Sequence, residues 1–308
     1  MHAIAPVPTD RQVEAMRLIR PEAAPSALER FLEHLKADPR LAQYAIGAVM
    51  GRNDAYRAAV LVLPSPGRTV TYCFSERRMT APLVRDLTTW ALEATQADLA
   101  DLAQTLLPPH AAAMLEGVQD AGLMHLADLH HMQCTVHRPK ASATLPQGVC
   151  TKPACDEVLA ELLPKTYQGT LDCPALRGLR RSIDIIAGHR AGGQVDPDLW
   201  LAVFDDTQAV GCVLITLGPE CTADLAYIGL IPTARGCALA ERLMAQMLNR
   251  LADRQIRTIR LAVDSGNTPA LALYRRLGFR RIGMQRAAIR SLREVQAAPT
   301  NNTSSTSH

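Results

Sequence analysis

Aromatic side chains are rare in this chain: four Phe, six Tyr and two Trp stand among 308 residues. Aliphatic residues and alanine must therefore fill the cores, and a hydrophobic content of 48% allows that. A dominant charge is also missing. The net charge is +3 and no block of five or more like charges occurs, so nothing marks a nucleic-acid surface. No run of 18 apolar residues exists, so no membrane span is expected. The opening residues lack a basic stretch followed by a long apolar core, so no secretory leader is expected. The eight cysteines include no C-x-x-C pair and no metal-ligand spacing. Free thiols in a reducing cytoplasm, and no structural metal, are the economical reading.

What is present divides in two. The length favours two domains. "HRPKASATLPQG", residues 137–148, is polar, carries two prolines and has no apolar period, so it reads as a linker. Before it, residues 1–25 are Pro- and Ala-rich and expected to be poorly ordered at the start. A helix is predicted over 26–36, strands over 43–50, 56–63 and 68–74, helices over about 80–96 and 109–120, and strand-like residues over 123–137. After it, helices are predicted over 155–164 and 176–188, then strands over 199–204, 209–217 and 224–231. A helix over about 236–253, a strand over 256–263, a helix over 268–277 and a strand over 281–290 follow. The polar, low-complexity tail 294–308 is expected to be disordered.

Two stretches in the second half carry chemistry. In "IGLIPTARGCALAERLM", residues 228–244, a strand meets Pro232, and the small residues Gly236, Cys237 and Ala238 open a helix. Leu239, Leu243, Met247 and Leu251 recur every four residues, the apolar stripe of a helix packed on a sheet. Small residues allow close approach to the backbone, and the N–H groups of a helix start suit a phosphate. A tight strand-to-helix turn with small residues for packing explains the same pattern. In "DSGNTPALALYRRLGF", residues 264–279, Thr268 is the predicted N-cap, Pro269 sits at N1 and Gly278 closes the helix. If strand 256–263 lies beside 224–231, the Tyr274 hydroxyl can face the sheet end near the phosphate turn; otherwise Tyr274 is a helix aromatic packed on the sheet.

Together these stretches resemble the two signatures of the Gcn5-related N-acetyltransferase (GNAT) family. "IGLIP" followed by "RGCALA" resembles the acyl-CoA signature Arg/Gln-x-x-Gly-x-Gly/Ala. Asn267, Ala270, Tyr274, Gly278 and Phe279 match N-x-x-A-x-x-x-Y-x-x-x-G-F. The resemblance implies an α/β (α+β) fold, a mixed, mostly antiparallel sheet flanked by helices. It implies acetyl-CoA as co-substrate. The backbone of Ile228, Gly229 and Leu230 would pair with the pantetheine arm. Arg235, Gly236, Cys237, Ala238, Leu239, Ala240 and Glu241 would hold the pyrophosphate. Asn267 would contact the cofactor, and Tyr274 would protonate the departing thiolate. Family members usually carry glycine where Ala238 stands. In a right-handed helical turn alanine carries no backbone penalty, so the expectation is weakened or displaced CoA, not lost binding.

An amine acceptor must lose a proton, and Asp224, which opens the strand leading to Gly229, is the first candidate base; Glu220 is the second. Each is otherwise a solvated strand-end charge. The loop "TYQGTLDCP", residues 166–174, is placed to meet substrate through Tyr167 and Asp172, and an acidic group there suits an amine. A surface Asx-turn is the alternative for Asp172. Cys173 has no histidine partner and is not expected to be a nucleophile. His125, His130 and His131 read as solvated strand histidines, not metal ligands.

Residues 110–134 lie along 266–289 with Gly122 on Gly278 and Leu123 on Phe279; Asn267 then becomes Ala111 and Tyr274 becomes Val118. Residues 1–140 therefore read as a degenerate GNAT-like domain without the acyl-CoA motif, ahead of an acetyltransferase domain over 141–293. This tandem arrangement resembles mycothiol synthase-like acetyltransferases. The expected function is transfer of an acetyl group from acetyl-CoA to a primary amine on a small molecule or peptide, by direct attack in a ternary complex. The alternative is a non-catalytic acyl-CoA-binding or regulatory protein. Neither nucleic acid nor membrane is an expected partner.

Overall fold

In the computed structural model, which describes residues 2–96, 99–137 and 144–293, the hydrophobic periodicities become two successive runs of helices and strands. The first run is β1 (Ala5–Pro6), α1 (Gln12–Ile19), α2 (Pro25–Ala37), β2 (Ala45–Met50), β3 (Tyr56–Ser65), β4 (Thr69–Phe74), α3 (Ala81–Ala94), β5 (Leu102–Leu107), α4 (Ala112–Asp120) and β6 (Met124–Thr135). The second is β7 (Val149–Pro153), α5 (Asp156–Thr166), α6 (Ser182–Arg190), β8 (Gln194–Asp205), β9 (Gln208–Leu217), β10 (Thr222–Leu230), α7 (Leu239–Asp253), β11 (Thr258–Asp264), α8 (Thr268–Arg276) and β12 (Arg280–Ser291). The repeat is close in register. β5, α4 and β6 begin at Leu102, Ala112 and Met124, and β11, α8 and β12 begin 156 residues later at Thr258, Thr268 and Arg280.

All described strands join one twelve-stranded sheet in the order β1-β2-β3-β4-β5-β12-β6-β11-β10-β9-β8-β7. Its described pairings are antiparallel except β4 with β5 and β10 with β11. The order contains an exchange. β12, last in the chain, lies against β5 of the first run, while β6 lies against β11 of the second. β12 and β6 pair with each other along the middle. Each run thus borrows its final strand from the other, and the two share backbone hydrogen bonds rather than a side-chain interface alone.

Four apolar cores flank the sheet. α3 and α4 pack over Val60, Tyr72 and Ala103, and α7 and α8 over Val213, Ile259 and Leu261. α1 and α2 cover Ile46 and Leu61, and α5 with α6 cover Trp200 and Leu214. β9 reads as an almost unbroken apolar run, Val210 to Thr216 being buried, because helices cover both of its faces.

Several elements differ from the sequence expectation, and the helix expected over 176–188 forms only as Ser182–Arg190. α1 forms within the supposedly loose start, because Ala15, Met16 and Ile19 give it a buried face on β3. β5 was not anticipated: Thr105 is buried and Leu106 exposed, so the residue types do not alternate as the burial does. β7 is a short edge strand paired to β8 that ends in a proline. The linker core 138–143, the proposed boundary at 140–141 and the tail 294–308 lie outside the described residues.

Candidate active site

The parallel pair β10/β11 stays in register only from Thr222–Asp224 against Thr258–Arg260. Beyond that, β10 keeps its bonds to β9 and β11 keeps its bonds to β6, and the two strands part. The divergence starts at a bulge between Leu225 and Tyr227, where Ala226 has no partner on β9. A cavity of about 540 Å³ fills the opening, lined by both separated edges, the start of α7 and one side of α8. Ile228, Gly229 and Leu230 line it. Gly229 is needed there because a side chain would run into the Tyr227 ring. Strand edges without partners offer N–H and C=O groups to an amide-containing chain.

At the wide end of the opening, Gly236 (φ +80°) and Ala238 (φ 57°, ψ 10°) turn the chain into α7. Ala238 is the N-cap residue and is left-handed. The expectation of a right-handed turn without backbone penalty is therefore corrected: the site demands a conformation that costs alanine about 1–2 kcal/mol and glycine almost nothing. The first N–H groups of this fifteen-residue helix have no intrahelical acceptors and point a positive dipole end at the cavity. Gly236, Ala238, Leu239, Ala240 and Glu241 all line the cavity; Cys237 is exposed, with its thiol on the Ala234 carbonyl at 3.2 Å. Glu241 is paired with Arg276 at 3.0 Å.

Arg235 lines the cavity, but its guanidinium is committed elsewhere. It donates from Nε to the Leu230 carbonyl at 3.0 Å, from Nη1 to the Gly169 carbonyl at 3.2 Å and from Nη2 to the Thr166 carbonyl at 2.8 Å. The side chain ties the loop after α5 to the end of β10, which differs from the phosphate contact implied by the family resemblance.

α8 presents Asn267 and Tyr274 to the cavity. Asn267, not Thr268, is the N-cap: its Oδ1 accepts from the Ala270 N–H at 3.3 Å. Gly278 (φ +89°) closes the helix, with the Phe279 N–H donating to the Tyr274 carbonyl at 2.9 Å and the Gly278 N–H to the Arg275 carbonyl at 3.1 Å. Tyr274 is buried, its ring 5.5 Å from that of Phe279. Burial, and next the neighbouring Asp172, push the phenol pKa up, so it stays protonated and able to donate.

The Asp172 carboxylate holds the Asp264 backbone, and the Asp264 carboxylate holds that of Cys173. The Asp264 N–H donates to Asp172 Oδ1 at 2.9 Å, and the Cys173 N–H donates to Asp264 Oδ2 at 3.1 Å. Asp172 lines the cavity; burial, together with the Asp264 charge, pushes its carboxyl up from the ordinary value. Burial also raises the Cys173 thiol to about 12, which keeps it from acting as a nucleophile at neutral pH.

Besides Cys237, three expected residues do not reach the cavity lining. Asp224 sits where β10 and β11 are still paired, and Arg260 grips both its oxygens at 3.1 and 3.0 Å. Tyr167 stands one layer back, its ring edge-on to Tyr227 at 5.5 Å. Glu220 lies in the β9–β10 turn with φ 55°. Sequence reasoning missed Tyr227, whose hydroxyl meets Thr166 Oγ1 at 2.9 Å, and Asp264. The signal for Asp264 was its place as the last residue of a strand, opening the "DSGN" turn. Tyr227 had no signal, because the bulge shifts the side-chain alternation of β10. Among the histidines, His125 meets Asp128 at 3.0 Å, His131 meets Gln285 at 2.8 Å and His130 lies beside Arg281 at 3.4 Å.

The first run has the same parting strands, but a side chain bridges them. β4 and β5 are in register from Thr69–Thr71 against Leu102–Gln104. Thr105 Oγ1 then donates across the gap to the Tyr72 carbonyl at 2.8 Å. Tyr72, Met114 and Val118 are buried in the same core cluster beneath it.

Comparison with known proteins agrees with this geometry. Residues 171–279 match the model of the acetyltransferase (GNAT) family. A mycothiol acetyltransferase of Arthrobacter sp. (strain FB24) is 36% identical over 64 residues, 21% of this chain and 20% of that protein. One of Thermomonospora curvata is 34% identical over 100 residues, 32% of this chain and 34% of that protein. The matches span about a third or less of these curated relatives. Among solved structures, a GCN5-related N-acetyltransferase from Sphaerobacter thermophilus superposes with a TM-score of 0.62 at 18% identity, over 94% of this chain and 96% of that one. A tandem GNAT protein from the clavulanic acid biosynthesis pathway superposes with a TM-score of 0.53 at 16% identity, over 95% and 99%. Residues 171–279 thus match the GNAT family, in a chain whose overall fold is that of GNAT proteins, tandem ones included.

Proposed function

We propose that the second half of the chain transfers an acetyl group from acetyl-CoA to a primary amine, by direct attack while both substrates are bound. The observation that carries this reading is the parted β10/β11 pair, with a helix N-terminus at one end of the gap and Tyr274 within it. The residues present fit the co-substrate. The free strand edge at Ile228–Leu230 suits the amides of a pantetheine arm, and the start of α7 suits a pyrophosphate. Bound acetyl-CoA would supply an activated acyl carbon. The backbone N–H groups of β10 orient and polarise the carbonyl, and Tyr274 holds the proton that the leaving sulfur needs. No acyl-enzyme is required, in keeping with the raised Cys173 thiol.

In this reading residues 1–140 are a degenerate GNAT-like domain and residues 141–293 the acetyltransferase domain. Support comes from the filled gap between β4 and β5 and from Val118 standing where α8 carries Tyr274. Acceptors to test are small amines, aminoglycoside-like compounds, peptide N-termini and, given the mycothiol acetyltransferase relatives, amino-sugar thiol precursors. The cysteines are free thiols, which supports a reducing cytoplasmic setting.

The test is calorimetric titration of acetyl-CoA into the chain, followed by thiol release against that panel of amines. Saturable one-to-one binding with amine-dependent thiol release is expected. Binding without thiol release from any amine would turn the reading to a non-catalytic acyl-CoA-binding protein; no binding would overturn both.

A further inference from the structure

At neutral pH a primary amine is an ammonium ion, and it must lose a proton before its nitrogen can attack. The carboxylate near the start of β10, Asp224, is poorly placed for this. Both its oxygens are held by Arg260, and it lies at the closed end of the strand pair, away from the cavity lining. Removing a proton from substrate there would mean breaking a bidentate ion pair first.

Asp172 is placed differently. It lines the same cavity as Tyr274, Ile228 and Asn267, on the loop between α5 and α6. The loop is fixed from three sides. Arg235 holds the Thr166 and Gly169 carbonyls, the Asp172 N–H donates to Thr170 Oγ1 at 3.1 Å, and the Cys173 N–H donates to Asp264. Asp172 Oδ1 is anchored by the Asp264 N–H, the Asn267 side chain also hydrogen-bonds the carboxylate, and among the described residues no positively charged side chain pairs with it. The ionisable groups around it are Asp264 on β11, Tyr227 on β10, Tyr274 on α8, and Tyr167 and Cys173 on its own loop.

We propose that Asp172, and not Asp224, is the general base that takes the proton from the acceptor ammonium. This rests on the acetyl-transfer reading above. The protons balance as follows. R–NH₃⁺ gives one proton to the Asp172 carboxylate, and the freed nitrogen lone pair forms the C–N bond to the thioester carbon. As the C–S bond breaks, its electron pair goes to sulfur, which takes the Tyr274 hydroxyl proton. The second nitrogen proton returns to the tyrosinate, and Asp172 releases its proton to solvent. The upward push on Asp172 from burial and from Asp264 makes it a better match for an ammonium donor. It also moves the acid limb of kcat/KM up from the ordinary aspartate value.

The experiment compares the full chain with Asp172→Asn and Asp224→Asn by acetyl-CoA calorimetry and by pH profiles of amine-dependent thiol release. Asn retains the Oδ1 acceptor for the Asp264 N–H, so the loop keeps its anchor. For Asp172→Asn we expect acetyl-CoA affinity within twofold, a loss of kcat of about 10²–10³-fold and no acid limb from this residue. A small added carboxylate such as formate should restore part of the rate in Asp172→Ala, which a purely structural role would not give. Should Asp172→Asn not fold, Asp172→Glu decides, since its acid limb must shift. Full rate and an unchanged profile in Asp172→Asn, or loss of the acid limb in Asp224→Asn instead, overturns this assignment alone. No turnover by the unaltered chain with any amine overturns the acetyl-transfer reading, and the assignment with it.

Discussion

Tyr274 and Val118 hold the same place in two copies of one helix ending. The Tyr274 carbonyl accepts the Phe279 N–H at 2.9 Å, and the Val118 carbonyl accepts the Leu123 N–H at 3.0 Å, with Gly278 and Gly122 as the left-handed residues between. One copy carries a phenol facing a cavity; the other carries a buried aliphatic side chain in a closed core. The backbone motif thus survives where the chemistry is absent, so its role is to stop the helix and start the next strand. Replacing Tyr274 by Phe removes the hydroxyl and keeps the ring against Phe279. We expect kcat to fall about 10²-fold with acetyl-CoA affinity unchanged, the pattern of a group acting in the transition state. Steady-state rates beside calorimetry check this.

Ala238→Gly should stabilise the protein. Alanine at φ 57° costs about 1–2 kcal/mol, while glycine loosens the unfolded chain by about 0.4–1 kcal/mol. The difference favours glycine by roughly 0.5–1 kcal/mol, read as a higher urea midpoint with an unchanged slope. Removing the methyl also clears the start of α7, so acetyl-CoA should bind at least as tightly. A lower midpoint would mean that the Ala238 side chain makes packing contacts that outweigh its backbone cost.

Arg235→Ala should damage the acceptor side more than the cofactor side. Its three hydrogen bonds all end on carbonyls, two of them in the loop that carries Asp172. Losing charged hydrogen bonds of this kind costs about 1.5–3 kcal/mol. The amine KM should rise by more than the acetyl-CoA Kd. Arg235→Lys should not restore it, because one ammonium cannot reach three carbonyls set by a planar fork. Equal losses in both constants would return Arg235 to a direct phosphate role.

Local pattern sufficed for much of this molecule and failed for identifiable reasons. The placement of Ile228–Leu230, Gly236 and Tyr274 around one cavity was readable because each lies in a stretch whose periodicity and caps are local. The strand exchange was not. β6 and β12 have equal length, and no property of either says whether β5 or β11 lies beside it. β5 was hidden because its polar Thr105 is buried while its apolar Leu106 is exposed, so residue type does not follow burial. The left-handed Ala238 was hidden because residue type argued for the opposite conformation. Asp224 was a reasonable base from its position along β10; only the neighbouring strand brings in Arg260, a partner 36 residues away.

The exchange itself gives a pH prediction. Asp101, just before β5, receives Arg68 Nη2 at 2.9 Å from the β3–β4 turn and Arg293 Nη2 at 2.6 Å from beyond the end of β12. Its own carbonyl accepts the Leu292 N–H at 2.9 Å, so one residue pins the last strand of the chain to the first run. The Arg68 bond, followed by the Arg293 contacts and against the cost of burial, lowers its carboxyl from 3.8 to about 2. A carboxyl with a lower pKa folded than unfolded stabilises the folded state above the unfolded value. That contribution is lost as pH falls through the interval between 3.8 and about 2. Because both arginines are about a third exposed, solvent reduces the effect to about 1–2 kcal/mol. Asp101→Asn should therefore lower the urea-derived stability by that amount at pH 7, and the gap to the unaltered chain should narrow as pH approaches 2. A gap near zero at every pH would show that Asp101 fastens the exchanged strand through its backbone carbonyl, which the substitution keeps, rather than through its charge.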